Sequence, residues 1–231
     1  MAKKDGQSIL QIIYIILSIY VSQFLASITT KYLPTPVNIS EIFYYLLYIL
    51  LEIILIYYLP HRFNIFGTRL LSLLPRSLPT FTDLGLAPIA FVFVYIFTNI
   101  STNIFTNFQF FSPEEPQNIG ISSLYTGSEK LIFFIILCLI VPVLEEQIFR
   151  GTIYARIKSI SDKKIWKILS ILFVSLIFAL MHGQWNVGIM AFWLSAFSCL
   201  LYEITGSTYA GIILHIIKNT IAFILLYVVY I

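Results

Sequence analysis

The chain has 231 residues, 59% of them hydrophobic and only 11% charged, with a mean hydropathy of +0.90. A soluble domain carries about 25% charged residues, so the composition excludes an ordinary soluble fold and points to an integral membrane protein with a single membrane domain. The net charge of +3 is too small and too dispersed for nucleic-acid binding.

A membrane-spanning helix needs roughly 20 mainly apolar residues. Runs of that kind fall at 8–27, 42–59, 85–105, 131–150, 166–182, 186–203 and 209–230. The expected fold is an all-α polytopic bundle of about seven transmembrane helices. The leading MAKKDGQ is followed by no small-residue cleavage site, so the first run reads as a retained helix rather than a signal peptide. Cys138 and Cys199 both lie inside apolar runs and read as free buried thiols. Positive charge orients such a bundle. Lys3 and Lys4 place the N-terminus in the cytoplasm, and the loop 60–84 carries Arg62, Arg69 and Arg76. The loop 106–129 holds Glu114 and Glu115 without Lys or Arg, whereas 151–165 carries Arg156, Lys158, Lys163 and Lys164. Charge and alternation agree on N-in, C-out. The mixed basic and apolar stretch 62–78 reads equally as an interfacial helix and as a cytoplasmic loop.

The fourth run closes on VPVLEEQIFRG, residues 141–151. On a helix, Glu146 and Arg150 are four apart in the favourable order, acid first, and can neutralise each other. Glu145 lies about 100° round the helix, so the same arginine does not account for it. An intramembrane carboxylate without its own partner is a functional candidate by default, and a general base is the chemistry it suits. An interfacial salt bridge remains the structural reading for Glu146 and Arg150. His182 ends IFALMHG, with Phe178 one turn earlier, and His215 shares a helix face with Asn219 in GIILHIIKNTIAF. A lone His in an apolar helix is more often a core residue. Two of them, with an amide and an unpaired glutamate, are harder to explain as packing, because each polar group is costly in hydrocarbon unless satisfied. Together they hold the parts for peptide hydrolysis: a carboxylate to take a proton from water, an imidazole beside it, and donors for a tetrahedral oxyanion. G-x-S-x-G and H-E-x-x-H are missing. Glu52, near His61 and Arg62, reads as interfacial, and Lys218 as facing away from His215 and Asn219 to snorkel or pair.

EEQIFR, FALMH and HIIKN, in that order on separate helices, resemble the E-E-x-x-x-R, F-x-x-x-H and H-x-x-x-N motifs of the CPBP (CAAX-protease and bacteriocin-processing, or Abi) family of intramembrane proteases. The resemblance covers roughly residues 130–225. It divides the chain into N-terminal helices, 1–129, and a catalytic helical core, 130–231. It implies about eight membrane helices, against the seven apolar runs counted, so the N-terminal region is shortened or one span there is missed. Glu145 resembles the water-activating base, with His182 beside it. His215 and Asn219 resemble the oxyanion stabilisers, and Glu146 and Arg150 the supports. A catalytic zinc held by Glu145, His182 and His215 is open alongside a metal-free glutamate mechanism, since three protein ligands suffice for such a site.

The expected function is an intramembrane endopeptidase of the bacterial plasma membrane, acting on a membrane-associated peptide or protein precursor. The rival is a non-catalytic scaffold or bacteriocin-immunity protein that binds a peptide or a sensor partner through the same pocket. A proton-coupled transporter is a third reading. One geometric condition attaches to the site. Glu145 reaches the depth of His182 only if its helix continues to about Lys158, and His215, about six residues into its span, requires the last helix to begin deep. On this topology a reporter fused at Ile231 should read extracytoplasmic; a cytoplasmic signal would reject the arrangement.

Overall fold

Each long apolar run becomes a helix in the computed structural model, which describes residues 2–33, 37–63, 78–108 and 127–226. Seven helices follow in chain order. α1 is Ala2–Lys31. α2 runs through Val37–Glu52, Ile53–Tyr58 and Leu59–Arg62, and α3 is Phe81–Asn107. α4 is Gly127–Lys158, α5 Lys164–Leu180, α6 Trp185–Thr205 and α7 Tyr209–Ile224. By length and composition five of these can cross a membrane: Ile9–Lys31, Ile39–Arg62, Phe81–Asn107, Gly127–Lys158 and Trp185–Thr205. α5, at 17 residues, and the described part of α7, at 16, are shorter than the expected spans. The stretch 62–78 falls almost wholly outside the described residues, as does most of the 106–129 loop. Both cysteines are free and buried, as expected.

α4 is the organising element. It is the longest helix at 32 residues, and 44% of its most apolar window is buried, more than in any other span. α7 packs against it, α5 packs on α6, and α3 closes over α6 and α7, while α1 pairs with α2. α3 starts where the sequence signals it. The Thr80 hydroxyl accepts the Asp83 N–H, and the Asp83 carboxylate accepts the Thr80 N–H, a capping box. At the Lys158 end of α4, a charged cluster ties three helices. Glu203 of α6 pairs with both Lys158 and Lys167, and Arg156 Nε donates to Gln11 Oε1 of α1 at 2.7 Å.

Two prolines shape the ladder of α2 and α4. Pro60 and Pro142 have no N–H to donate. Each is preceded by a widened π-helical turn, Ile53–Tyr58 and Ile135–Ile140. In that register the N–H of Leu59 reaches the Ile54 carbonyl and that of Val141 reaches the Ile136 carbonyl, five residues back. The carbonyls left without a helical donor are therefore Leu55 and Leu137. Each is taken by a side chain from another helix: Tyr14 Oη donates to Leu55 O at 2.6 Å, and Asn219 Nδ2 to Leu137 O at 2.8 Å. Away from a watered cavity, lipid offers no other donor for such a carbonyl.

Removing one of these donors strands a half-buried carbonyl, a loss of about 1 kcal/mol. Tyr14→Phe should lower unfolding stability in detergent by about that much. Combining it with Pro60→Ala, which returns an N–H to the ladder, should recover most of the loss. Additive losses in the double variant would show that the two residues are not coupled through Leu55.

Candidate active site

The two adjacent glutamates of α4 point to different surroundings, as their 100° offset requires. Glu146 and Arg150 are fully buried, with Nη1 and Oε1 3.0 Å apart. The guanidinium makes no well-aligned hydrogen bond; charge rather than directional bonding holds this pair, and the cation also lies 5.0 Å from the centre of the Phe178 ring. Glu145 is 20% exposed and lines a cavity of about 360 Å³.

α7 brings His215 between the two carboxylates. Its Nδ1 is 3.2 Å from Glu146 Oε1, and its Nε2 is 3.6 Å from Glu145 Oε2. Glu146 thereby fixes the ring orientation, and the longer second distance leaves Glu145 without a direct hydrogen bond to it. The close approach of α7 depends on Gly211, one turn before His215. A Cβ there would stand 2.6 Å from Glu146 Oε2.

His182 follows the end of α5, in the turn that leads to α6. Gly183 takes a left-handed conformation there, φ +72°, and lets the chain reverse directly after the histidine. His182 Nδ1 bonds the Phe178 carbonyl at 2.8 Å. A carbonyl only accepts, so Nδ1 carries the hydrogen, and Nε2 of the neutral ring is left as an acceptor. Phe178 is the hub. Its ring meets Phe149 at 4.8 Å, His182 at 4.9 Å and His215 at 6.0 Å between centroids.

The depth conditions are both met. α4 does continue to Lys158. The N-terminus of α7 lies level with Gly151 of α4, where an added Cβ would stand 3.6 Å from Thr208 Cγ2, and the long side chain of Gln147 reaches the buried Thr208 Oγ1 with its Nε2 at 2.8 Å. From Thr208, His215 is about 10 Å further along α7, which brings it to the height of Glu145 and Glu146.

Glu145, His182, His215 and Asn219 all line the one cavity. Glu146 and Arg150 stand behind it. Two other readings are corrected. Glu52 is not interfacial: it is 2% exposed, accepts a hydrogen bond from Tyr48 Oη at 2.6 Å and lines the same cavity. It is nine residues before His61, about 14 Å along a helix, too far to share that residue's surroundings. Lys218 does not face away: it too lines the cavity. Three residues after His215, it is turned only about 60° from that histidine. Its proximity was therefore readable from spacing, whereas the cavity face of α2 was not.

Among the described residues no three His, Cys, Asp or Glu side chains converge closely enough to hold a metal ion. Glu145, His182 and His215 share a cavity without forming a three-ligand set. His182 Nδ1 is committed to a carbonyl and His215 Nδ1 to Glu146, which leaves Nε2 of each ring as the nitrogen open to the cavity's chemistry.

Residues 127–221 match the family model described as Type II CAAX prenyl endopeptidase Rce1-like. The match agrees with the resemblance carried by the three motifs and contains Glu145, Glu146, Arg150, His182, His215 and Asn219. No curated protein matches the chain, and no solved structure does.

Gly211→Ala forces the Glu146 carboxylate or α7 to move and should cost about 1–3 kcal/mol. Gly85→Ala, where nothing lies within 4 Å, should cost nothing and gain up to about 1 kcal/mol of helix propensity. Thermal unfolding of the two variants in one detergent checks this; equal stabilities would mean that α7 does not pack against Glu146 as described.

Proposed function

We propose that this Rce1-like, multi-pass membrane protein is an intramembrane endopeptidase that hydrolyses a membrane-associated peptide or protein precursor, with Glu145 as its base. The family match supports protease activity in general. The observation that carries the finer reading is the contrast between the two glutamates: one sealed against an arginine, the other open to a cavity that two histidines and an asparagine also line.

A water in that cavity can donate one O–H to Glu145 and the other to Nε2 of His182, the two acceptors turned towards it. Glu145 takes the proton as the water oxygen attacks the peptide carbonyl carbon. The carbonyl oxygen becomes an oxyanion, for which the Asn219 amide, held in plane by Leu137 O, is a donor. His215 has its Nδ1–H on Glu146, so its Nε2 can receive the proton from Glu145 as an imidazolium stabilised by that second carboxylate. It then serves as a donor to the oxyanion. The C–N bond breaks as the proton held by His215 passes to the leaving amine nitrogen, giving a carboxylic acid and an amine, which part as carboxylate and ammonium. Glu146 and Arg150 act through His215 and touch no reacting atom.

Mass spectrometry of membrane and secreted peptides should show a product that forms with the wild type and is lost in Glu145→Gln and His182→Ala at matched expression and folding. The loss expected of a general base is at least about 10²-fold. Cleavage undiminished in Glu145→Gln would remove the glutamate from the chemistry. Zinc chelators should leave the purified enzyme active; stoichiometric zinc lost together with activity would overturn the metal-free route.

A further inference from the structure

The cavity holds a second carboxyl that none of the three motifs contains and that lies outside the matched segment 127–221. Glu52 is contributed by α2, is 2% exposed, and lines the cavity together with Glu145. Its Oε1 receives the Tyr48 hydroxyl at 2.6 Å. Among the described residues no cation lies within ion-pair distance of it, although Lys218 lines the same cavity. A buried carboxylate is costly without a cation beside it, the part that Arg150 plays for Glu146. The second oxygen of Glu52 is left to whatever enters.

The surroundings favour a cation. Tyr44, Tyr45 and Tyr48 line the cavity from the same helix. The rings of Tyr44 and Tyr48 are nearly parallel, 12° apart with centroids at 6.3 Å, and Tyr45 stands edge-on to Tyr44 at 5.2 Å. Tyr45, Tyr48 and Glu52 are spaced three and four residues apart, so they form one stripe on α2. Aromatic faces beside an unpaired carboxylate bind ammonium and guanidinium groups. We propose that Glu52, with these three tyrosines, forms a subsite for a lysine or arginine side chain of the substrate. The inference rests on the endopeptidase reading and adds to it a substrate class: peptides with a basic residue beside the scissile bond, close enough for one cavity to hold both.

The test uses the full chain in lipid nanodiscs and two readouts. The first is cleavage of a peptide set that differs only in Lys, Arg, norleucine or Glu at each position flanking the scissile bond. The wild type should prefer Lys or Arg at one position. Glu52→Gln should cut kcat/KM for that substrate by about tenfold or more, the usual scale for losing one partner of a buried charge pair, with norleucine peptides unaffected. Glu52→Lys should shift the preference towards Glu. The second readout is binding of the Lys and norleucine peptides made uncleavable by N-methylation of the scissile amide. This does not depend on turnover, so it separates the subsite from the hydrolytic reading. Tighter binding of the Lys peptide, lost in Glu52→Gln, supports the subsite even where nothing is cleaved. Equal binding of the two peptides overturns it, as does a Glu52→Gln defect of the same size on every peptide, which would mark the residue as catalytic or structural.

Discussion

The architecture turns on a single fully buried carboxylate. Taking an ion out of water costs several kcal/mol even after relaxation, so Glu146 must be met from all sides. Arg150 meets it from one turn along α4, and His215 from α7. Gly211 gives it room by presenting no side chain. Phe178 of α5 covers the arginine. One charge thus sets the register of three helices. The geometry of Glu145 follows: once His215 is seated on Glu146, its other nitrogen faces the neighbouring carboxylate.

The same economy governs the backbone. Pro60 and Pro142 each remove a donor from a helix that has no water to fall back on, and each loss is made good from a different helix. Asn219 is therefore both a polar group of the cavity and a splice in the ladder of α4. The amide is oriented by this bond, since only its nitrogen can donate to Leu137. A carboxylate at 219 would face the carbonyl with another acceptor.

Much of this was readable beforehand, and the reasons differ by residue. Helix positions followed from apolar run length, because a bilayer leaves the backbone few alternatives. Glu146 and Arg150 followed from a spacing of four. The meeting of EEQIFR, FALMH and HIIKN could be expected because isolated polar groups in lipid are untenable, and their order matched a known pattern. Two of the π-helical turns carried no signal beyond the prolines that follow them, and a third, Phe149–Tyr154, is followed by no proline. The role of Glu146 as partner to His215 was hidden because it joins residues 69 apart. Glu52 was misread because its fate is decided by which face of α2 turns inward, and a helix apolar on all sides does not disclose that.

The shortness of α5 has a consequence in the lipid itself. Seventeen residues rise about 25 Å, whereas the hydrocarbon core is about 30 Å thick. Lys163, Lys164 and Lys167 mark one end of this helix as the polar one; with that end held at the headgroups the deficit would fall at the other, where His182 and the turn into α6 stand. A bilayer meets a short helix by thinning. Thinning beside His182 would draw headgroups and their hydration water towards the cavity. A short helix next to the site would then bring water to an interior carboxylate without any channel being cut through the protein, and would make bilayer thickness a variable on which the site depends.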